Sequence, residues 1–264
     1  AFPATLSLGA EYRAEKWNQS PGNPDSYFGS AAQGFGGFTP RNAGQHDRDS
    51  HAVYAGLEAD LSEKFSAGIA GRYEDFSDFG AETSGKVSAR YAFTEAFALR
   101  ATVASGFRAP ALAQQHYQAV TTNFSSGVAF EAGTFPADST AAIALGAEPL
   151  KAETSLSYSL GAVLQPSERL YITVDAYQID IDDRIVLSGN LPANAAMTAL
   201  LASLGITNVT SARYFTNAID TRTRGVDVVA SYRIPLASGA FNLTGGYNYN
   251  QTEVQRIAPN PSQL

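Results

Sequence analysis

Apolar and polar residues alternate along most of this chain with a period of two. From Phe241 to Asn250, one parity carries Phe241, Leu243, Gly245, Tyr247 and Tyr249; the other carries Asn242, Thr244, Gly246, Asn248 and Asn250. A strand sends successive side chains to opposite faces, so this pattern predicts a strand with one apolar, aromatic face and one polar face. The same alternation runs through Phe65–Glu74, Lys86–Phe93, Phe97–Ala104, Leu156–Gln165 and Val226–Arg233, where Val229 alone breaks the polar face. With Leu6–Trp17, His51–Asp60 and Leu170–Ile185, the reading gives nine strands. In the segment after Leu170 the apolar parity slips, from Leu170, Ile172 and Val174 to Tyr177, Ile179 and Ile181. One extra residue near Ala176 would produce the slip, so a bulge is expected there.

Connections alternate strictly between short and long. Leu61–Lys64, Ala92–Glu95, Pro166–Arg169 and Pro235–Ala240 read as short turns. Asn18–Ser50, Arg108–Leu150 and Ser188–Arg213 are long, and Ser77–Glu82 is a shorter tip. In an up-and-down sheet this places every short turn at one end and every long loop at the other, as in outer-membrane barrels. The expected fold is all-β: antiparallel up-and-down strands, about nine, forming part of a transmembrane β-barrel with long extracellular loops. A soluble secreted β-sandwich alternates too. These strands, however, run longer than the usual ~5–6 residues. Their polar faces also hold Gly, Ser, Thr and Asn where a solvated exterior would carry more Lys and Glu.

Two short helices are expected inside the long loops. Met197, Leu200, Leu201 and Leu204 fall at helical spacing between Asn194, an N-cap, and Gly205, a stop. A weaker helix is expected between Asp138 and Gly146.

Composition narrows the chemistry. Of 264 residues, 44% are hydrophobic and only 16% charged, below the quarter typical of soluble domains. There is no cysteine, which removes disulfides, thiolate metal sites and a Cys nucleophile. The net charge of −7 argues against nucleic acid as a partner. The longest segment free of Asp, Glu, Lys and Arg, Ile185–Ala212, is broken by Pro192 and by glycines, so no helix is expected to cross a membrane. Gly80–Val87 nearly matches a phosphate-binding loop, but Val87 stands where Ser or Thr must reach Mg²⁺, and a strand follows. Asp180, Asp182 and Asp183 lack the order of a Ca²⁺ loop. His46, His51 and His116 sit in no catalytic motif. The expectation is a protein that is not an enzyme and has no cofactor or metal site.

Several segments resemble a known family. Gly106-Phe107-Arg108-Ala109-Pro110 is similar to the GFRAP-type motif of TonB-dependent outer-membrane receptors. Leu150-Lys151-Ala152-Glu153-Thr154-Ser155 resembles the family's LKPE(T/S)S segment, with Ala152 in place of the common Pro. Asp175–Ile185 resembles its DxYxIxIxDRI strand, Gly225-Val226-Asp227 its G-(V/I/F)-E, and Gly9–Glu15 a GxEYRxE strand. Five such segments, in family order, reach both ends of the chain.

The resemblance implies residence in the Gram-negative outer membrane, in contact with its lipid. It implies uptake of a scarce small extracellular ligand, energised by the TonB complex acting on a plug domain. Such barrels have about 22 strands. No plug, no leading signal segment and no terminal aromatic strand is read here. Residues 1–264 are therefore expected to be a partial barrel domain, an internal slice that does not close alone because its two edges would be unpaired. A self-contained passive porin or adhesin barrel is the alternative within the membrane.

Charges on the polar faces, among them Arg13, Arg72, Arg90, Arg100 and Arg233 with Glu11, Glu58, Asp60, Glu74, Asp175 and Asp227, either hold a plug and line a transport path or pair across strands. The long loops carry aromatics that alternation does not require: Trp17, Tyr27, Phe28, Phe35 and Phe38, then Tyr117, Phe124, Phe130 and Phe135. Rigid apolar faces beside Asn, Gln and Ser suit a small ligand. Trp17, Tyr27 and Phe124 are the candidate ligand-binding residues.

Overall fold

The computed structural model describes residues 3–27, 36–125, 128–192, 194–204 and 209–259, without the side chains of residues 121–131 and 192. In chain order the elements are β1 (Ala4–Gln19), α1 (Pro24–Tyr27), β2 (Gly44–Asp60), β3 (Phe65–Phe76), β4 (Gly80–Thr94), β5 (Phe97–Arg108), α2 (Leu112–His116), β6 (Ala119–Ser125), β7 (Val128–Phe135), α3 (Thr140–Ala144), β8 (Glu153–Ser167), β9 (Leu170–Leu187), β10 (Leu191–Pro192), α4 (Ala195–Ser203), β11 (Ser211–Leu236) and β12 (Gly239–Ile257).

Nine long strands correspond one for one to those expected. They pair antiparallel in the order β1-β2-β3-β4-β5-β8-β9-β11-β12. Among the described residues β1 pairs only with β2, and β12 only with β11. The sheet is an open, curled half-barrel, part of a larger barrel fold. It departs from a purely antiparallel order at one end. There β7 runs parallel to β11, pairing Ala132–Phe135 with Ser211–Tyr214.

Three of the four short turns are braced by hydroxyls. Ser62 Oγ accepts from the Phe65 N–H at 3.0 Å, Thr94 Oγ1 from Ala96 at 3.2 Å, and Ser167 Oγ from Arg169 at 3.4 Å. A side-chain acceptor that close in sequence tightens the reversal without a ladder bond.

The outer face carries an apolar row on every long strand: Leu6 and Leu8 on β1, Val53 and Leu57 on β2, Ile69 on β3, Val87 and Tyr91 on β4, Val103 on β5, Leu160 on β8, Val226 on β11, Leu243 and Tyr247 on β12. All of these are exposed, Leu8 to 71%. So large an exposed apolar surface needs something apolar to cover it. Lys86, Arg90, Arg100 and Asn242 fall on the opposite parity, as expected.

The bulge expected near Ala176 is absent. β9 keeps an unbroken register with β8 from Ile172 to Asp182, and with β11 from Leu170 to Ile181. The parity slips because the environment changes. Beyond Ala176 the outer row continues as Gln178, Asp180 and Asp182. It does the same on β11 past Val226, with Arg224, Arg222 and Asp220, and on β12 past Tyr249, with Gln251 and Glu253. The bulge lies farther on. Asp182 and Asp183 together oppose Asp220, and Asp183 takes the left-handed conformation, φ 54°.

Both expected helices form. Asn194 Oδ1 accepts from Met197 N at 2.8 Å to cap α4, and Ser139 Oγ from Ala142 N at 3.2 Å to cap α3. Gly146 follows α3 at φ 88°, whereas Gly205 lies outside the described residues. The two helices share one core in which Leu145, Met197, Leu201, Ala212 and Tyr214 are buried. The largest buried cluster thus sits in the loops, beside β7 and β10, and not between sheet faces.

Candidate functional site

The polar, concave face carries both paired and unpaired charges. Many of them pair with one another. Arg72 on β3 meets Glu74 at 2.8 Å and reaches over β2 to Glu11 at 3.1 Å. Arg13 also meets Glu11, at 2.9 Å. Arg100 on β5 grips Asp175 on β9 with two bonds, 2.9 and 2.6 Å, passing over β8 at Gly161. A Cβ at Gly161 would stand 2.0 Å from Asp175 Oδ1, so only glycine leaves room for this pair. Asp227 accepts from Asn248. Glu58 and Asp60 on β2 and Lys86 and Arg90 on β4 make no ion pair among the described residues, although Arg90 stands directly opposite the paired Arg100. They line open grooves with Ser66, Gly68 and Ser88.

At the long-loop end the strand tops are stitched together. Arg48 is buried, donates to Glu15 on β1, and reaches the Pro110 carbonyl at 2.7 Å and Asp78 at 3.4 Å. Gln115 also donates to Asp78, at 2.7 Å, and Gln19 donates to the Gln118 carbonyl at 2.6 Å. The rings of His46 and His116 stack at 3.7 Å, and Phe38 meets Tyr117 edge-on at 5.9 Å. Residues 110–118 thus form a strap laid on the inner side of β1 and β2. Burial, then the neighbouring His46, hold the His116 pKa below the usual histidine value, and burial raises that of Tyr117.

The stitching continues around the mouth. Arg108 pairs with the buried Glu153, which also accepts from the Ile185 N–H at 2.8 Å. The Asn217 amide bonds both backbone groups of Lys151, at 2.9 and 3.0 Å, and the Asp183 carbonyl at 2.6 Å. Arg256 on β12 binds Asp220, whose carboxylate it holds below the usual range, and Asp183 at 2.9 Å. Asp180 and Asp183, at the acidic strand end of β9, are each paired with an arginine, Arg222 and Arg256.

Of the expected ligand residues, Trp17 is half-buried on the concave side, its ring 6.0 Å from that of His46. Tyr27 is half-buried in α1, and no ring contact or hydrogen bond joins it to Trp17. Phe124 lies in β6, but its side chain, like that of Phe130, is outside the described residues, as are Phe28 and Phe35 entirely. Phe135 is in the loop core and Phe38 packs on Tyr117, so these two hold loops together. Arg48 and Asn217 carry no sequence signal of their own, and Glu153 stands out only as part of the family-like segment 150–155.

Residues 1–263 match the family profile described as TonB dependent receptor-like, beta-barrel. The chain belongs to the TonB-dependent receptors. It is thus an outer-membrane protein of a receptor family, not of an enzyme family. Comparison with curated protein sequences gives no match. Among solved structures it is similar to the siderophore receptor PirA from Pseudomonas aeruginosa, with 20% identity, TM-score 0.67, and coverage of 97% of this chain and 40% of that one. It is also similar to a mutant of the ferric enterobactin receptor PfeA from the same organism, with 18% identity, TM-score 0.62, and coverage of 96% and 33%. The RagAB peptide importer shares the fold at 14% identity and TM-score 0.61, with coverage of 98% and 28%. The chain therefore spans two fifths or less of the receptors it matches.

The mouth shows what the family-like segments of this TonB-dependent receptor do. Arg108 of the first segment pairs with Glu153 of the second, Glu153 bonds Ile185 of the third, and Asn217 ties Lys151 to Asp183. At Gly225, in the fourth, a Cβ would stand 2.4 Å from Tyr177 Oη and 2.8 Å from the Tyr249 carbonyl. Each supplies a contact between strands that no alternation pattern specifies.

These close approaches are testable. Gly161→Val should lower barrel stability by about 1–3 kcal/mol through overpacking. Gly239→Ala, with nothing within 4 Å of its Cβ, should change it by less than ~0.5 kcal/mol. Urea unfolding in lipid vesicles reads the difference, and equal effects would contradict the close contact over Gly161.

Proposed function

We propose that this chain is the wall and outer mouth of a TonB-energised importer of a small, scarce nutrient of siderophore type. In this reading the apolar outer rows cross the membrane, the short turns face the periplasm and the long loops face outside. The observation that carries it is the split between paired and unpaired charges on the inner face. Arg13, Arg72 and Arg100 are satisfied within the wall, while Glu58, Asp60, Lys86 and Arg90 on β2 and β4 make no ion pair among the described residues. Paired charges fix the shape of the wall. The unpaired four are suited to a plug domain that must let go when TonB pulls, since exposed ion pairs are individually weak.

The capture surface in this reading is the long-loop end. Trp17 and Tyr27 offer aromatic area there, and Phe124 lies in the same loop group. A passive porin needs no releasable partner on its wall, and a soluble β-domain would bury the apolar rows. Siderophore is preferred to peptide because the siderophore receptors share more identity with this chain, 20% and 18%, than the peptide importer does, 14%.

Uptake by cells carrying the full-length protein tests the proposal. With ferric siderophores and short peptides as probes, accumulation of a ferric siderophore should occur and should vanish in cells lacking TonB. Trp17→Ala or Tyr27→Ala should weaken capture about tenfold. TonB-independent flux would favour the porin, and peptide accumulation would overturn the ligand class.

A further inference from the structure

We propose that the stacked His46–His116 pair is an acid-sensitive latch, holding the 110–118 strap on the barrel wall and releasing it when both rings are protonated. The idea is independent of which ligand the receptor takes. The two imidazoles lie face to face, 3.7 Å between centroids and 6° between planes. Two neutral rings, or one neutral and one charged, tolerate that geometry. Two imidazolium rings so close repel strongly when shielded from water.

The charged groups around the pair are few. From β2 comes Arg48, which adds positive charge and is neutralised by Glu15 of β1 and by Asp78 of the β3–β4 tip. Asp78 and Asp138, the latter just before α3, favour a proton on His116, whereas burial and His46 oppose it more strongly. Among the described residues no carboxylate accepts a hydrogen bond from either ring. A single proton can therefore be held, but the second has no hydrogen-bonded carboxylate to offset the repulsion between the rings.

The strap has few other ties on this side. Pro110 is held by Arg48, the Tyr117 ring meets Phe38 edge-on, Gln115 is held by Asp78, and Gln118 by Gln19. The histidine pair sits between the last two, where repulsion acts directly on the seat. The sign follows from the lowered His116 pKa. The seated strap favours the neutral ring, so its stability is full above the ordinary histidine value of about 6.5. It declines as the pH falls from there toward the lower pKa of the seated ring. Release would uncover Trp17 and Arg48 at the mouth, so acid outside the cell would change access to the wall.

Hydrogen exchange of the full-length protein in detergent tests this, at about pH 7.5 and pH 5 after correction for intrinsic exchange rates. In the unmodified protein, protection of residues 110–118 should fall at least about tenfold at the lower pH, while α4 changes less than about twofold. In His116→Gln, and separately in His46→Gln, the pH difference over the strap should shrink to within about twofold. If one variant fails to assemble, the other gives the result. No loss of protection in the unmodified protein, an undiminished loss in the glutamine variants, or an equal loss in α4 would overturn the latch.

Discussion

Replacing Leu201 by alanine is expected to unfold the loop unit while leaving the barrel wall intact. Leu201 and Met197 are each only 1% exposed, packed with Leu145, Ala212 and Tyr214 in a core made wholly of loop elements and strand ends. The Tyr214 hydroxyl bonds the Leu145 carbonyl at 3.2 Å, so loosening the core also strands a buried polar pair. Large-to-small changes at such sites cost ~2–5 kcal/mol. A unit of this size has little stability in reserve, because small cores are marginal. Limited proteolysis should cut residues 136–147 and 188–204 quickly in Leu201→Ala and leave the long strands protected. Leu204→Ala, at a position 40% exposed, should behave like the unmodified protein. Equal resistance in both variants would show that the loop core does not hold the loops.

Val103→Arg should destabilise the barrel by ~2–4 kcal/mol, the cost of placing arginine on the lipid face near mid-membrane. Val103 lies in the apolar row of β5, level with Val87 on one side and Tyr158 on the other. Its neighbour Thr102 points to the inner face between Ser88 and Ser159, where arginine meets water and polar groups. Thr102→Arg should cost less than ~1 kcal/mol. Folding into lipid vesicles, followed by urea titration, measures both; equal costs would mean that the two faces are not in different media.

The wall was legible in the sequence because a strand writes its two environments directly into residue parity. All nine long strands, the four short turns and the cap Asn194 follow from patterns spanning a few residues. Parity misled only at Ala176. A bulge and a change of medium give the same slip along one strand, and only the neighbouring rows on β11 and β12 separate them. The stitches of the mouth were not legible as contacts. Arg48 and the Pro110 carbonyl, or Glu153 and the Ile185 N–H, are far apart in sequence and leave no periodic trace. What did show was the residue content of the family-like segments, whose polar members meet at the strand tops. The parallel β7–β11 pairing was invisible for the same reason: its partners come from separate long loops.

The central claim is that one face of this sheet meets lipid up to a fixed height and the other meets water throughout. Spin labels placed singly on the full-length protein in bilayers test it, read by collision with oxygen and with a water-soluble nickel chelate. Sites Val87, Val103, Leu160 and Leu243 should favour oxygen, and sites Lys86, Thr102, Ser159 and Asn242 the chelate. On β9 and β11 the outer-row sites should switch from oxygen to chelate between Ala176 and Gln178, and between Val226 and Arg224. Alternation without that switch would contradict the change of medium, and similar accessibility at neighbouring sites throughout would contradict the barrel wall itself.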